Sequence, residues 1–138
     1  MITNEPAVLV IDDDSAIVDL ATAILRDEGF PTFGTTDPEE AIHLVKTNHS
    51  IKLLLSDVVM PKLTGPDVVR RALKSRVDSV RVVFMSGGFE GISFRRTDRL
   101  LDKPDGLTSL AREVRSALTD PSPAARWEGP ERRRQFQA

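Results

Sequence analysis

A chain of 138 residues with 40 % apolar and 29 % charged residues is long enough to bury one core, so it reads as one domain with a possible tail. It has no cysteine and only His43 and His49 as imidazoles, which excludes disulfides and thiol catalysis and argues against a zinc centre built on Cys or His. The net charge of -2 gives no general attraction to nucleic acid, no apolar run is long enough for a membrane span, and "MITNEPAVLV" lacks the features of a signal peptide, so a cytoplasmic chain is expected.

In chain order, the apolar run "AVLVI" (7–11) predicts a buried strand. "SAIVDLATAILRDEG" predicts a helix whose apolar face carries Ile17, Leu20, Ala21, Ile24 and Leu25, stopped by Gly29. "PTFGT" (31–35) is a weaker strand. Asp37 then serves as N-cap for "PEEAIHLVKTN", with Pro38 at the first helical position and Glu40 at the capping-box position. "IKLLLS" (51–56) is a strand, "DVVMPKLTG" a loop, and "PDVVRRALKSR" (66–76) a helix opened by Pro66. "VRVVFMS" (80–86) is a strand, and "GGFEGISFRRTD" (87–98) makes only a short, poor helix because of its glycines. "RLLD" (99–102) is a short strand. "LTSLAREVRSAL" (107–118) is an amphipathic helix with Leu107, Leu110, Ala111, Val114 and Leu118 on one face. Residues 119–138 turn to Pro, Ala and Arg without periodicity and read as a disordered tail behind a domain at 1–118.

Strand and helix alternate throughout the domain. That pattern predicts an α/β fold, a doubly wound five-stranded parallel sheet with helices on both faces and a shortened fourth helix. Ligands then belong at the carboxyl ends of the strands. Those ends carry polar residues: Asp12, Asp13 and Asp14 after the first strand, Asp57 after the third, Ser86 on the fourth, and Asp102 and Lys103 at the fifth. Taken singly, each is ordinary. Asp14 or Ser15 caps a helix, Asp57 and Ser86-Gly87 start turns, and Lys103 is a solvated charge. Together they gather carboxylates that repel one another, a cost tolerated when something uses the charge. Without imidazole or thiol beside them, the natural user is Mg²⁺, with a lysine and a hydroxyl completing a phosphoryl pocket.

In these residues the chain resembles the receiver domains of two-component response regulators. "VLVIDDDSAI", "LLLSDVVMPKLTGPDVV", "VVFMSG" and "LLDKP" match in order and at nearly the family spacing, over roughly residues 6 to 118. The resemblance implies a flavodoxin-like, CheY-like topology. It implies that Asp57 is the phosphoacceptor, that Asp12 and Asp13 hold Mg²⁺ with Asp57 and the Val59 carbonyl, that Ser86 follows the phosphoryl group, and that Lys103 pairs with it. A cis bond before Pro104 would aim Lys103 into the site. Three features depart from the family: the segment between Ser86 and Lys103 is short, Leu100 stands where many receivers carry a switching aromatic, and Asp105 follows Pro104 in place of an apolar residue.

The implied function is that of a single-domain response regulator, a phosphoacceptor in a phosphorelay rather than a conventional enzyme. Its expected partners are a sensor histidine kinase or histidine phosphotransfer protein and an unidentified downstream protein. No membrane partner is expected, nor nucleic acid for the body of the domain, with the basic cluster in the tail left open. The expected state is a monomer or weak dimer. Two alternatives stand beside this reading: a pseudo-receiver that binds partners without phosphorylation, and a haloacid-dehalogenase-type phosphatase using Asp12 and Asp14.

Overall fold

In the computed structural model the described residues are 5–74, 79–86, 99–102 and 108–119, with the backbone alone at 86 and 99–102. The apolar runs at 7–11 and 51–57 become central strands because their side chains are buried on both sides of a sheet. The strands are β1 (Ala7–Ile11), β2 (Thr32–Thr35), β3 (Ile51–Asp57), β4 (Arg81–Ser86) and β5 (Arg99–Asp102). They form a five-stranded sheet in the order β2-β1-β3-β4-β5, and every adjacent pair is parallel. The strand order reverses direction beside β1, between β1 and β3. An open α/β sheet offers a crevice at that point, at the carboxyl ends of its strands.

Four helices are described: α1 (Ser15–Asp27), α2 (Pro38–Thr47), α3 (Gly65–Ala72) and α4 (Leu110–Thr119). They divide the core in two. One cluster joins Leu9, Ile11, Leu54 and Phe84 of the sheet to Ala41 and Val45 of α2 and Val68 and Val69 of α3. The other joins Val8, Val10, Leu53, Leu55 and Met85 to Ala21 and Leu25 of α1 and Leu110 and Val114 of α4. The sheet is therefore covered on both faces, as the alternation predicts.

The helix ends show how local sequence sets the frame. Asp14 caps α1, its carboxylate accepting from Ala16 N at 2.9 Å. At the other end Gly29 takes φ +94°. Phe30 N donates to Leu25 O at 3.0 Å and Gly29 N to Arg26 O at 3.0 Å, the paired bonds of a Schellman motif. Helix α1 packs most of the face its apolar spacing suggests, with Ala21 and Leu25 buried and Ile17 and Ile24 against the same core, but the buried face is widened to Val18 and Thr22 while Leu20 is 47 % exposed. The cause is Gly34 on β2. A Cβ there would lie 2.6 Å from Val18 Cγ1 and 2.7 Å from Thr22 Cγ2, so the helix sinks its Val18–Thr22 edge into the space that glycine leaves.

Helix α2 is capped by Asp37, which accepts from Glu39 N at 3.0 Å. Glu40 does not close a capping box. Its carboxylate accepts from Thr35 Oγ1, and that hydroxyl accepts from Asp37 N at 3.0 Å. The capping box lies instead on α3, between Thr64 and Asp67, with Asp67 N donating to Thr64 Oγ1 at 3.1 Å and Thr64 N to Asp67 Oδ2 at 3.2 Å. Burial raises the Asp67 pKa, but the hydrogen bonds from Thr64 and Arg70 and the charge of Arg70 outweigh it and hold the carboxyl below its usual value. The expected short helix at 87–98, the cis bond before Pro104, Leu107, Asp105 and residues 120–138 of the expected tail lie outside the described residues, while Thr119, placed in that tail from the sequence, is the last residue of α4, its hydroxyl donating to Arg115 O at 2.8 Å.

Candidate functional site at the carboxyl edge of the sheet

Parallel register brings the polar residues together. Ile11 stands beside Thr35 on one side and Ser56 on the other, and Ser56 stands beside Phe84. One residue further along each strand, Asp12 and Asp57 emerge as neighbours. Asp57 pairs with Met85, and Ser86 pairs with Asp102. The backbone of Ser86 and the residue preceding Lys103 thus meet on the same edge. The side chain of Ser86 and the whole of Lys103 and Pro104 lie outside the described residues.

Asp12, Asp13 and Asp57 form a cluster in which one carboxylate oxygen from each lies within 4.8 Å of the others. Asp12 is fully buried and Asp57 is 4 % exposed, while Asp13 faces solvent. The cluster therefore has two acids in the wall and one at its mouth. Asp12 Oδ1 accepts from Asp14 N at 2.9 Å, which fixes that carboxylate against the turn into α1. Asp14 is used for helix capping and is not a member of the cluster. This placement speaks against the phosphatase alternative, which needs Asp12 and Asp14 together.

Close buried carboxylates of one sign repel strongly. A hard cation relieves that repulsion, and its preferred donors are oxygens. The donor set here is all carboxylate, with neither histidine nor cysteine, and it fits a cation of the Mg²⁺ class. Val59 follows Asp57 by two residues and is 50 % exposed, at the rim of the same edge. Asp13 also lines an open cleft together with Thr36, Asp37, Pro38, Met60, Pro61 and Lys62.

The strand end that carries Asp57 is held from several directions. Val58 N donates to Met85 O at 3.1 Å, and Gly65 N donates to Val58 O at 2.7 Å. Ser56 is fully buried, and its Oγ donates to Asp57 O at 2.8 Å. The sequence gives little warning of these contacts. Ser56 looks like one more residue of an apolar strand, and Gly65 looks like the end of a loop.

A doubly wound parallel sheet with an acidic cluster where its strand order reverses defines a class of small α/β domains that place a site at the carboxyl edge of the sheet. Within that class the family is settled by comparison. The model of the response regulator receiver domain matches residues 8–111, and the chain belongs to that family. The receiver domain of the hybrid histidine kinase CckA is 30 % identical, with a TM-score of 0.70, and the match covers 82 % of this chain and 99 % of that one. A CheY-like receiver domain protein from Methanospirillum hungatei JF-1 shares the fold at 21 % identity and a TM-score of 0.69, over 83 % of this chain and 94 % of that one. Response regulator SaeR of Staphylococcus aureus (strain USA300) is 31 % identical over 70 residues, 51 % of this chain. That match spans only 30 % of the length of SaeR. The receiver family is a signalling family of two-component systems. Among the described residues no helix is long and apolar enough to cross a membrane.

Proposed function

We propose that this receiver domain accepts a phosphoryl group on Asp57 in a Mg²⁺-dependent reaction. The observation that carries the proposal is the convergence of Asp12, Asp13 and Asp57, with carboxylate oxygens within 4.8 Å of one another. The donor is a phosphohistidine on a sensor histidine kinase or a histidine phosphotransfer protein. The domain is cytoplasmic and passes the signal on by contact with a downstream protein.

Asp12, Asp13, Asp57 and the Val59 carbonyl would hold Mg²⁺, which when bound supplies positive charge against the phosphoryl oxygens. A carboxylate oxygen of Asp57 forms the new bond to phosphorus. The phosphorus–nitrogen bond of the donor breaks, and the imidazole leaves with the electron pair. The chain contributes position and electrostatics rather than covalent help. Strand register sets Asp57 beside Asp12, and the Met85 carbonyl holds Val58 and so fixes the turn beyond the acceptor. Lys103 serves as the fixed positive charge for the phosphoryl group, and the Ser86 hydroxyl as a donor to its oxygens. The product carries about -2 charge where the carboxylate carried -1. Recruitment of Ser86 to that charge draws in the segment that follows β4 and biases the domain toward a second state.

The test is incubation with a small acyl phosphate and Mg²⁺, read by intact mass. The expected result is one added phosphate, lost in Asp57→Asn and on chelation. Unlabelled wild-type protein under conditions where a known receiver is labelled would favour the pseudo-receiver and overturn the proposal.

A further inference from the structure

The acceptor is a side chain on the last residue of a strand, a place where a backbone commonly frays. Here three consecutive main-chain positions are accounted for. The Asp57 carbonyl accepts from Ser56 Oγ, Val58 N donates to Met85 O, and the Val58 carbonyl accepts from Gly65 N at 2.7 Å. The first and last of these bonds come from the α3 side of the sheet. Ser56 lies in register with Ile11 and Phe84, both members of the core under α2 and α3, so its hydroxyl occupies a position otherwise filled by hydrocarbon. A fully buried hydroxyl in such a place is costly unless it is hydrogen-bonded. Its bond goes to the carbonyl of the acceptor residue itself.

Gly65 completes the arrangement. A Cβ on Gly65 would lie 2.2 Å from Asp57 O and 3.0 Å from Ser56 Oγ. The first turn of α3 is thus packed directly on the peptide that follows Asp57, at a distance only glycine permits. Any side chain there must push α3 or the Asp57 carbonyl away. The capping box of Thr64 and Asp67 then fixes the start of α3 at that approach.

We propose that Ser56 and Gly65 are positioning residues that brace the Asp57 main chain against α3, and so set both the cation affinity of the acidic cluster and the reactivity of Asp57. Neither residue contributes to the cluster. Ser56 holds the carbonyl of Asp57, which fixes the peptide plane and hence the direction of the side chain relative to Asp12 and Asp13. The inference rests on the phosphoacceptor role proposed for Asp57, but cation binding reads it independently of phosphorylation.

The experiment compares wild type, Ser56→Ala, Gly65→Ala and a control, Thr22→Val. The control removes another hydroxyl-to-carbonyl bond made by a buried residue, the part-buried bond from Thr22 Oγ1 to Asp19 O at 3.0 Å on α1. Each protein is titrated with Mn²⁺ by water-proton relaxation, labelled with a small acyl phosphate, and melted. Positional errors of this kind cost large factors in rate. Ser56→Ala is expected to lose about tenfold in labelling rate and several-fold in Mn²⁺ affinity, and Gly65→Ala to lose more of both. Thr22→Val is expected to melt lower while keeping wild-type affinity and rate. Gly65→Ala tests the close approach most severely and is the variant most exposed to misfolding; Ser56→Ala, which removes only a hydroxyl, carries the test if it does. Wild-type Mn²⁺ affinity and labelling in Ser56→Ala would overturn the inference, as would equal losses in Thr22→Val. If wild type binds Mn²⁺ but takes no label, the phosphoacceptor reading falls, and the affinities of the same variants still decide the brace.

Discussion

Removing one charge from the acidic cluster should stabilise the cation-free protein. In Asp57→Asn the side chain keeps its shape and an acceptor oxygen but loses its charge. At 4.8 Å, the outer limit of the separations in the cluster, one pair of unit charges repels by about 3.5 kcal/mol at an effective dielectric of about 20. Asp12 is buried and feels most of this, while Asp13 faces water and is screened. Lys103, which the proposed function places in the same site, would attract Asp57 and offset part of the relief, which leaves an expected net gain of about 1–2 kcal/mol. For a domain of this size that is a rise of several degrees in Tm, on the order of 3–8 °C. The assay is thermal unfolding by circular dichroism, first in chelator and then in millimolar Mg²⁺. Wild type is expected to melt below Asp57→Asn in chelator and to gain more from Mg²⁺, narrowing or reversing the gap. A variant that melts below wild type in chelator, with both proteins gaining equally from Mg²⁺, would refute the electrostatic account of the cluster.

Gly34→Ala should destabilise the protein by about 1–3 kcal/mol through overpacking against Val18 and Thr22, and adding Val18→Ala should recover part of that loss in a denaturant titration. Thr64→Ala should cost about 1 kcal/mol at neutral pH through loss of the α3 cap. The folded-state pKa of Asp67 is depressed, so its contribution is present above the ordinary carboxyl value of 3.8 and is lost as the pH falls below that through the lowered folded value. The gap between Thr64→Ala and wild type in urea midpoint should therefore shrink in that acidic window, and a gap that widens there would contradict the assignment. Lys103→Ala should leave Mg²⁺ affinity equal or slightly raised while slowing labelling, as separate metal titration and labelling assays would show.

The sheet was legible because its central strands β1 and β3 are buried on both faces, and such strands read as short apolar runs in any context. The acidic site was legible for a related reason: a parallel sheet places every carboxyl end on one edge, so Asp12, Asp13, Asp14, Asp57 and Asp102 could be gathered there from their strand positions, and the family resemblance singled out Asp12, Asp13 and Asp57. What the sequence hid depends on neighbours distant in the chain. Leu20 fits the apolar period of α1, yet it is turned out because Gly34 on β2 draws Val18 and Thr22 inward. Glu40 fits a capping box, yet the Thr35 hydroxyl from β2 competes for it. Thr64 and Asp67 carry a cap with Asp in place of the usual Glu or Gln, so the start of α3 at Gly65 was read one residue late. The contact of Gly65 with the Asp57 carbonyl has no local signature, because a glycine's own neighbours do not reveal which backbone it approaches.

The central claim is that the phosphoryl group resides on Asp57, and the most direct measurement is chemical trapping of that acyl phosphate. Labelled protein is treated with borohydride, which reduces an aspartyl phosphate to homoserine, and the position is read by peptide mass spectrometry. Homoserine at position 57, absent without Mg²⁺, is the predicted result. Homoserine at position 12, as the phosphatase alternative requires, or aspartate unchanged throughout a demonstrably labelled protein, would contradict it.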